Sequence, residues 1–371
     1  MKICVVTSVH FNDDNRIYKK EILSLLSHGH SITYIAPGVN KNINNNINYI
    51  DCSHLKSGYI RTSFRLFKEI KKLDSECIHF HDPELLILGF LVKLFTNKKV
   101  IYDVHEDYPS DIMSKAYLSI VKKIFFYSAV FLLELFGKIL FTNIIVADDN
   151  IYKRFKLKKT IKIYNYPILS EYDDFNIDNK TDGYDIIYAG MLTVKMVEYI
   201  VKAVKYVNEN SRDIRVLLIS PYNFSGGKET VINLINGYGV KYNQFTLLDR
   251  VAPSRIPPLL FNSKIGVIPL ENTSKMRKNV PTKLFEYMAA FNLIISNDLP
   301  PIRNFDVNGE NIYFCDTSND VLFGQAILHY LSNHDYRQLL LFNRRRVYQS
   351  FSWESESIKL EKLYEVINGK K

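Results

Sequence analysis

The sequence predicts an α/β protein with two domains in series, each built on a doubly wound parallel sheet. The chain has 371 residues, which is too long for one ordinary core. Its 47% hydrophobic and 23% charged residues are typical of a globular protein that folds in water. Short apolar strands alternate with helical segments along the chain, and a polar tract, residues 170–183, interrupts the series. We therefore predict domains at residues 1–168 and 169–350, followed by a terminal helical segment, residues 351–371.

The first predicted domain opens with a strand at residues 2–7, a polar loop at 10–15, a helix at 16–27 that ends at Gly29, and a strand at 31–36. This order favours a parallel sheet. The loop has no GxGxxG motif, which weighs against a nicotinamide or flavin enzyme. The asparagine-rich residues 40–48 are expected to form a loop without chemistry. The remaining predicted elements are a helix at 59–73, a strand at 77–80, a helix at 85–94, and strands at 99–104, 144–147 and 161–164.

Histidines and carboxylates follow two of these strands. His81, Asp82 and Glu84 come after the strand at 77–80, and the run from His105 to Asp107 comes after the strand at 99–104. Open α/β sheets bind ligands at the carboxyl ends of their strands. A single histidine there is commonly structural, whereas for two such clusters on neighbouring strands a functional site and a structural role are equally open.

The longest apolar stretch, residues 124–145, contains Glu134 and Lys138 and is therefore a poor membrane span. Three lysines lie nearby: Lys115, Lys122 and Lys123. The stretch predicts a long amphipathic helix with a basic side, either packed on its own domain or in contact with a membrane surface. The net charge of +9 fits anionic partners such as nucleotides and acidic lipids. Nucleic acid is not expected, because no basic run is interleaved with aromatic residues.

The four cysteines are widely separated and form no CxxC or Cys/His cluster, so the sequence indicates neither a disulfide framework nor a zinc site. Reduced thiols in the cytoplasm are the expectation. The first residues form a strand rather than a secretion signal, because a polar stretch ends their apolar run.

The second predicted domain repeats the alternation without sequence repetition. Its predicted elements are strands at 185–189, 214–220, 245–248, 265–269, 293–296 and 311–315, and helices at 194–208, 229–237, 257–261 and 321–350, with a terminal helix at 353–367. The stretch from Pro281 to Asp298 is the centre of this half. It predicts a helix that begins at Pro281 and Thr282 and leads into the strand at 293–296.

Lys283 and Glu286 lie three residues apart and so share a face at the start of that helix. There the unbonded N–H groups and the helix dipole favour an anion such as a diphosphate, while a carboxylate can accept hydrogen bonds from a ribose diol. The alternative is an ordinary surface ion pair.

Several short motifs, in this order, resemble one known family. They are Asp14-Asn-Arg-Ile17 with Lys20-Glu21, His81-Asp-Pro83, the run from Tyr102 to Pro109, Asn165-Tyr-Pro167, Tyr188-Ala-Gly190, the run from Pro281 to Met288, and Trp353-Glu354. The chain resembles, nearly end to end, the retaining GT-B glycosyltransferases of the large family that includes bacterial enzymes of cell-surface polysaccharide synthesis. The resemblance implies two Rossmann-like domains that face a cleft, with the terminal helix crossing back to the first domain.

The resemblance also implies roles for single residues. A nucleotide-diphosphate sugar would be the donor, with no cofactor and no obligatory metal. Glu286 would bind the ribose, and His105 would lie near the transferred sugar. Lys195 and Lys283 would balance the negative charge of the diphosphate. The other donor-side positions are Gly190, Arg277, Lys278, Thr282 and Leu284, and the acceptor-side positions are Asp14, Arg16, His81 and Asp107. The acceptor would be a glycan, lipid-linked, at the inner membrane face. For Arg16 an ion pair at the start of a helix is an equal alternative.

The chain also departs from the family pattern. Lys278 stands where the first glutamate of an E-x7-E element is expected, and Met191 replaces a usual arginine. Two other functions therefore remain open. One is a nucleotide-sugar epimerase, for which Asp103, Glu106 and Asp107 would supply acid and base groups. The other is a non-catalytic subunit that binds a nucleotide or a glycan.

Overall fold

The computed structural model describes residues 1–38, 44–55, 57–114, 118–273, 276–278, 280–307, 309–332 and 335–369. The chain divides into two compact units. Unit 1 comprises Met1–Asn165 and Trp353–Lys371, and unit 2 comprises Tyr166–Ser352. Lys115, and the part of the asparagine-rich loop at 39–43, lie outside the described residues.

Unit 1 is built on a seven-stranded, entirely parallel sheet in the order β3-β2-β1-β4-β5-β6-β7. The strands are β1 (Lys2–Val6), β2 (Ser31–Ala36), β3 (Ile47–Asp51), β4 (Cys77–Phe80), β5 (Lys99–Val104), β6 (Asn143–Val146) and β7 (Thr160–Lys162). The chain runs outward from β1 in one direction and then restarts at β4 on the other side. The gap between the carboxyl ends of β1 and β4 is thus the switch point at which such sheets bind ligands.

The helices of unit 1 begin with a π-helical segment, Asn15–Ile22, which continues into α1 (Leu23–Ser27). The others are α2 (Tyr59–Lys72), α3 (Leu86–Phe95), α4 (Tyr108–Ser114), α5 (Ile120–Leu140), α6 (Asp149–Phe155) and, in the last segment of the chain, α14 (Trp353–Ile367). The helix predicted at 16–27 therefore contains a wider first half. π-Helical segments are frequently found at functional sites.

Unit 2 is built on a six-stranded parallel sheet in the order β10-β9-β8-β11-β12-β13. Its strands are β8 (Tyr184–Ala189), β9 (Val216–Ile219), β10 (Phe245–Leu248), β11 (Ser263–Ile268), β12 (Leu293–Ser296) and β13 (Tyr313–Phe314). Its helices are α7 (Val194–Asn210), α8 (Gly227–Gly237), α9 (Ile256–Phe261), α10 (Lys283–Ala289), α11 (Pro300–Arg303), α12 (Asp320–Leu331) and α13 (Arg337–Ser350). The strand order reverses between β8 and β11, which is the switch point of this sheet.

The prediction of two parallel-sheet α/β domains is confirmed. The structure adds β3, α4, α6 and α11. The loop predicted for residues 40–48 is wrong at its end, because Ile47 already pairs with Ile32 of β2. Asparagines have low strand propensity, and apolar positions in β3 are few. The sequence around β3 therefore does not show the pattern by which an edge strand is predicted.

Helix α5 differs most from its prediction. Among its described side chains only Glu134 and Gly137 are buried. A larger set of apolar side chains is exposed along it: Ile120, Val121, Ile124, Phe125, Phe126, Tyr127, Phe131, Leu132, Leu135, Phe136, Ile139 and Leu140. The helix is therefore apolar on its solvent side instead of amphipathic. Within the described part of the chain, no helix has the length and apolarity needed to cross a bilayer.

Candidate functional site

The switch point of unit 1 is lined by residues that directly follow β1 and β4. Asp82 follows β4, and its Oδ2 accepts hydrogen bonds from Thr7 Oγ1 at 2.9 Å and from the Ser8 backbone N–H at 2.5 Å. Asp82 is buried, so these bonds hold the loop after β1 against the end of β4. The loop then carries His10 to the edge of the site.

Asp14 ends this loop and caps the π-helical segment. Its Oδ1 accepts from the backbone N–H groups of Arg16 and Ile17 at 2.8 and 2.9 Å, and its Oδ2 lies 3.2 Å from His10 Nδ1. These bonds and the His10 charge hold the pKa of Asp14 well below its ordinary value, although burial acts in the opposite direction. Asp14 is therefore a carboxylate at neutral pH, and it remains partly exposed.

Arg16 is buried and is not part of the surface of the site. Its Nη2 donates to both oxygens of Asp103 at 3.1 Å, and its Nε donates to Glu21 Oε1 at 3.0 Å. The ion-pair interpretation of Arg16 is thus the one that the contacts show, and it joins the π-helical segment to β5. A buried guanidinium with two carboxylates fixes the positions of those carboxylates.

His105 lies at the surface of this network. Its Nε2 contacts Asp103 Oδ2 at 3.1 Å and His81 Nδ1 at 3.1 Å, and its side chain is 11% exposed. Burial lowers the pKa of His105 to about 4, against the opposing effect of Asp103. The imidazole is therefore neutral at pH 7 and can form a hydrogen bond without carrying charge. His81 itself is fully buried and positions His105.

Two other residues named from the sequence also belong to unit 1. Asp107, at the start of α4, accepts from Ser110 Oγ and lies 3.4 Å from Arg154 Nη2. Lys20, from the π-helical segment, donates to Asn165 Oδ1 at 2.7 Å. The motifs that were separate in the sequence, from Asp14 to Asn165, thus meet at one end of one sheet.

In unit 2 the glycine after β8 lies beside Lys283. Lys283 Nζ donates to the Tyr188 hydroxyl at 2.8 Å and lies 4.1 Å from the centroid of that ring. Gly190 has φ +138°, and a Cβ placed there would be 3.0 Å from Lys283 Nζ. Only glycine therefore lets the loop pass this close to the ammonium group.

Lys195 lies in the first turn of α7, and its exposed Nζ forms an ion pair with Glu271 Oε2 at 3.2 Å. The hydrogen bond that Lys195 Nζ donates to Glu271 raises the pKa of Lys195 above the ordinary lysine value. Arg277 and Lys278 are exposed, and the Arg277 backbone N–H donates to the carbonyl of Thr273. The structure brings Lys283 and Gly190 together, whereas Lys195 is paired with another residue.

The helix that follows is shorter than its sequence suggests. Helix α10 has seven residues, and no side chain caps it at Thr282. The Leu284 side chain is fully buried, and its backbone N–H donates to Pro281. Glu286 is half-buried. Burial raises the pKa of Tyr172, and the nearby charge of Glu286 adds to that rise. Because the helix is short, any anion held here depends on the Lys283 charge more than on a helix dipole.

Three residues of the site were not predicted from the sequence: His79, Tyr188 and Glu271. His79 could have been found, because it lies two residues before His81 on the adjoining strand β4, and side chains two apart in an extended chain point to the same face. Glu271 gives no local signal, since its contact with Lys195 spans 76 positions. The contact of Tyr188 with Lys283 spans 95 positions, and for the same reason no local sequence pattern predicts it.

Comparisons with known proteins find one matching family model and several similar folds. Residues 183–333 match the family model described as "Glycosyl transferases group 1". A comparison with curated protein sequences finds no match. Solved structures are similar over the whole chain. A glycosyltransferase from Rickettsia africae has a TM-score of 0.71 at 15% identity, with 100% of this chain and 99% of that chain covered.

Two further solved structures have similar folds. Sucrose-phosphate synthase from Thermosynechococcus elongatus has a TM-score of 0.70 at 15% identity, and both chains are covered to 100%. The Anabaena protein Alr3699/HepE in complex with UDP-glucose has a TM-score of 0.72 at 10% identity, again with 100% of each chain covered. At these identities the similarity shows the fold.

Proposed function

We propose that this chain transfers a hexosyl group from a nucleotide-diphosphate sugar to a hydroxyl group, with retention of configuration. The match of residues 183–333 to the glycosyl transferases group 1 model supports this. The observation that supports this most is the position of Lys283, held by Tyr188 beside the glycine loop that follows β8. An ammonium at the end of a parallel strand, where the backbone can approach a ligand closely, suits the diphosphate of such a donor.

The donor proposal assigns a role to each of three residues. Lys283 balances charge that develops on the β-phosphate, and Lys195 contributes when it exchanges Glu271 for the diphosphate. Glu286 accepts hydrogen bonds from the ribose hydroxyls. Exposed Arg277 and Lys278 add positive charge in place of a family glutamate, and protein cations thus replace an obligatory metal ion. UDP-glucose is the first donor to test, since a protein of similar fold binds it.

The acceptor proposal concerns the end of the unit 1 sheet. Asp14 and Asp107 are its partly exposed carboxylates, and His105 is its neutral imidazole. Nε2 of His105 already contacts Asp103 and His81, so a hydrogen bond to a sugar hydroxyl would be formed by Nδ1. No protein nucleophile is assigned, and the leaving diphosphate itself helps the acceptor hydroxyl to lose its proton.

We further propose that the acceptor is a lipid-linked glycan at the inner membrane face. The exposed apolar side of α5, with Lys122 and Lys123 in its first turn, supports peripheral contact with anionic lipid. This location would bring a cytoplasmic enzyme close to a lipid-anchored substrate.

The two alternatives receive unequal support. An epimerase needs acid and base groups that reach the sugar, but Asp103 is fully buried and bound to Arg16. A non-catalytic subunit is favoured by one observation, the exposed Met191 at a position where the family has an arginine. Binding without turnover is therefore the alternative to be tested directly.

The test is incubation of the pure protein with a panel of nucleotide sugars, with and without acceptor, while nucleoside diphosphate release is measured. Release from one donor supports the transferase. Interconversion of sugars identifies an epimerase, and binding without either identifies a non-catalytic subunit. Lys283→Met should reduce release strongly, whereas Lys205→Met, on the exposed side of α7, is the matched control. Glu286→Ala should weaken nucleotide binding, and unchanged binding would remove its ribose assignment.

A further inference from the structure

Four buried side chains in unit 1 direct ligand atoms toward one small space. Glu21 comes from the π-helical segment, His79 from β4, His81 from the position directly after β4, and Asp103 from β5. One ligand atom from each lies within 4.8 Å of those of the other three. The two histidines and Asp103 have side chains that are 0% exposed, and Glu21 is 2% exposed.

Three atoms of this cluster lack a hydrogen-bond partner although they are buried: Glu21 Oε2, His79 Nε2 and His81 Nε2. Each of the two nitrogens lies 3.8 Å from Glu21 Oε2. That separation is too long for a hydrogen bond. It is close to the distance of about 3.4–3.6 Å between two ligand atoms bound to one zinc ion at about 2.1 Å. Asp103 Oδ2 is 3.9 Å from His79 Nε2 and provides the fourth ligand atom.

The atoms on the far side of the same groups are already held in place. His79 Nδ1 contacts the Tyr364 hydroxyl at 2.9 Å, and His81 Nδ1 contacts His105 Nε2 at 3.1 Å. With a hydrogen on each Nδ1, both Nε2 atoms keep their lone pairs for a ligand. Arg16 binds Oε1 of Glu21 and leaves Oε2 facing the space. Such outer contacts are what orients metal-binding histidines and carboxylates.

We propose that Glu21, His79, His81 and Asp103 bind one Zn²⁺ ion. Two imidazoles with carboxylate oxygens suit zinc better than magnesium or calcium, which prefer oxygen ligands alone. Two buried carboxylates share a single guanidinium, that of Arg16, and a cation would compensate the second. The ion would fix the π-helical segment to β4 and β5 beneath His105. It is a structural ion that takes no part in group transfer, and the proposal is independent of the donor assignment.

The first test uses the full chain, stripped with a chelator, returned to Zn²⁺ and desalted. We expect one zinc per chain by elemental analysis, a rise in Tm on zinc addition, and an anomalous diffraction peak at the zinc edge among the four side chains. A protein that retains no zinc above a chelator-treated blank overturns the proposal. An anomalous peak found only at another place in the crystal also overturns the proposal. Density among the four side chains without an anomalous signal would identify a buried water instead of zinc, and would overturn it as well.

Variants separate this site from surface binding. His79→Gln should abolish zinc retention, and Tyr364→Phe, which keeps all four ligands, should weaken zinc binding by about 10- to 100-fold. His28→Gln, which changes a partly exposed histidine outside the cluster, should leave binding unchanged. If His79→Gln does not fold, Tyr364→Phe and the anomalous peak decide the question. Equal zinc binding by Tyr364→Phe and the wild type would contradict the orienting role of Tyr364 and count against the site.

Discussion

Lys283, at the start of helix α10, is hydrogen-bonded to Tyr188, which lies in β8 two positions before Gly190. The ammonium donates to the phenol oxygen at 2.8 Å while it lies 4.1 Å from the ring centroid, and the same hydroxyl donates to the Met191 carbonyl at 2.8 Å. One side chain therefore holds both the cation and the loop that follows β8. Tyr188 thus positions two parts of the proposed donor site, the loop after β8 and the Lys283 ammonium group, without having to contact the donor itself.

The variant Tyr188→Phe tests whether Tyr188 positions both the loop and Lys283. The variant keeps the aromatic ring beneath the ammonium but loses both hydrogen bonds, so the loop and Lys283 become free to move separately. We expect the KM for the donor, or its Kd, to rise about 3- to 10-fold, because a hydrogen bond of this kind contributes about 1 kcal/mol. We expect kcat to change less.

Steady-state kinetics with varied donor concentration measure both constants. Tyr242→Phe, an exposed tyrosine in unit 2, is the matched control and should behave like the wild type. A fall in kcat without a change in KM would show that Tyr188 acts on the chemical step and not on donor binding.

Gly190→Ala should damage the same site in another way. Its φ of +138° is one that alanine rarely adopts, and the new methyl group would lie 3.0 Å from Lys283 Nζ. We expect a loss of about 1–3 kcal/mol in the free energy of unfolding, together with weaker donor binding. Denaturant unfolding and donor titration measure the two effects.

Gly237→Ala is the control for that variant. A Cβ at Gly237, the last residue of α8, would meet no atom within 4 Å, and its φ is not in the left-handed region. It should be neutral or slightly stabilising, since alanine is the better helix former. Equal stability of the two variants would mean that the loop relaxes around a methyl group at position 190.

Much of the fold could be predicted from the sequence, because alternation of strands and helices is a local pattern. The strand-end positions of His81 and His105, and the glycine after β8, follow from that pattern alone. Contacts between distant positions could not be predicted in this way. Lys195 stands near the loop in the sequence, but its pairing with Glu271 depends on how the start of α7 and the segment after β11 meet in space. The family resemblance named His105 but could not show that its imidazole is neutral.

His105→Ala tests the proposed contact with the transferred sugar. Burial lowers the pKa of His105 to about 4, so its charge does not change between pH 5.5 and 8. We expect kcat to fall by about 10²- to 10³-fold in the variant. Within this pH range, the pH profiles of the wild type and the variant should have the same shape, because His105 does not titrate there. His28→Gln is the control.

Initial rates across that pH range provide the measurement. A wild-type inflection near pH 6.5 that is lost in His105→Ala would show that His105 titrates as an exposed imidazole, and would contradict the buried geometry with Asp103 and His81.

Glu134 should make the stability of unit 1 depend on pH. It lies on the inner side of α5, donor contacts reach it from Tyr102 at 3.2 Å and from Arg154, and burial raises its pKa to about 7 in the folded protein. An acid whose pKa is raised by folding stabilises the folded state at low pH, and this stabilisation is lost as the pH rises through the folded value. The window therefore runs from about pH 4.5 to 7.

Glu134→Gln removes that titration. Between pH 5 and pH 8 the wild type should lose more free energy of unfolding than the variant, by an amount on the order of 2–3 kcal/mol. Denaturant unfolding at the two pH values measures the difference. Parallel pH curves for the two proteins would show that the ion pair with Arg154 keeps Glu134 ionised throughout.

The exposed apolar side of α5 gives the test for membrane contact. Val121 and Phe125 are 73% and 67% exposed, near the lysines of the first turn. Insertion of two such side chains into lipid would contribute about 3 kcal/mol, and the lysines add attraction to anionic headgroups. The double variant Val121→Ser, Phe125→Ser should therefore bind vesicles with a quarter of anionic lipid at least 10-fold more weakly than the wild type.

Val366→Ser, which changes an equally exposed valine of α14, is the control. Co-sedimentation at low and high salt measures the binding, and sedimentation velocity of the free proteins examines the other use of such a surface. Equal vesicle binding by all three proteins, together with a wild-type dimer that the double variant loses, would assign α5 to contact between two copies of the chain instead of to lipid.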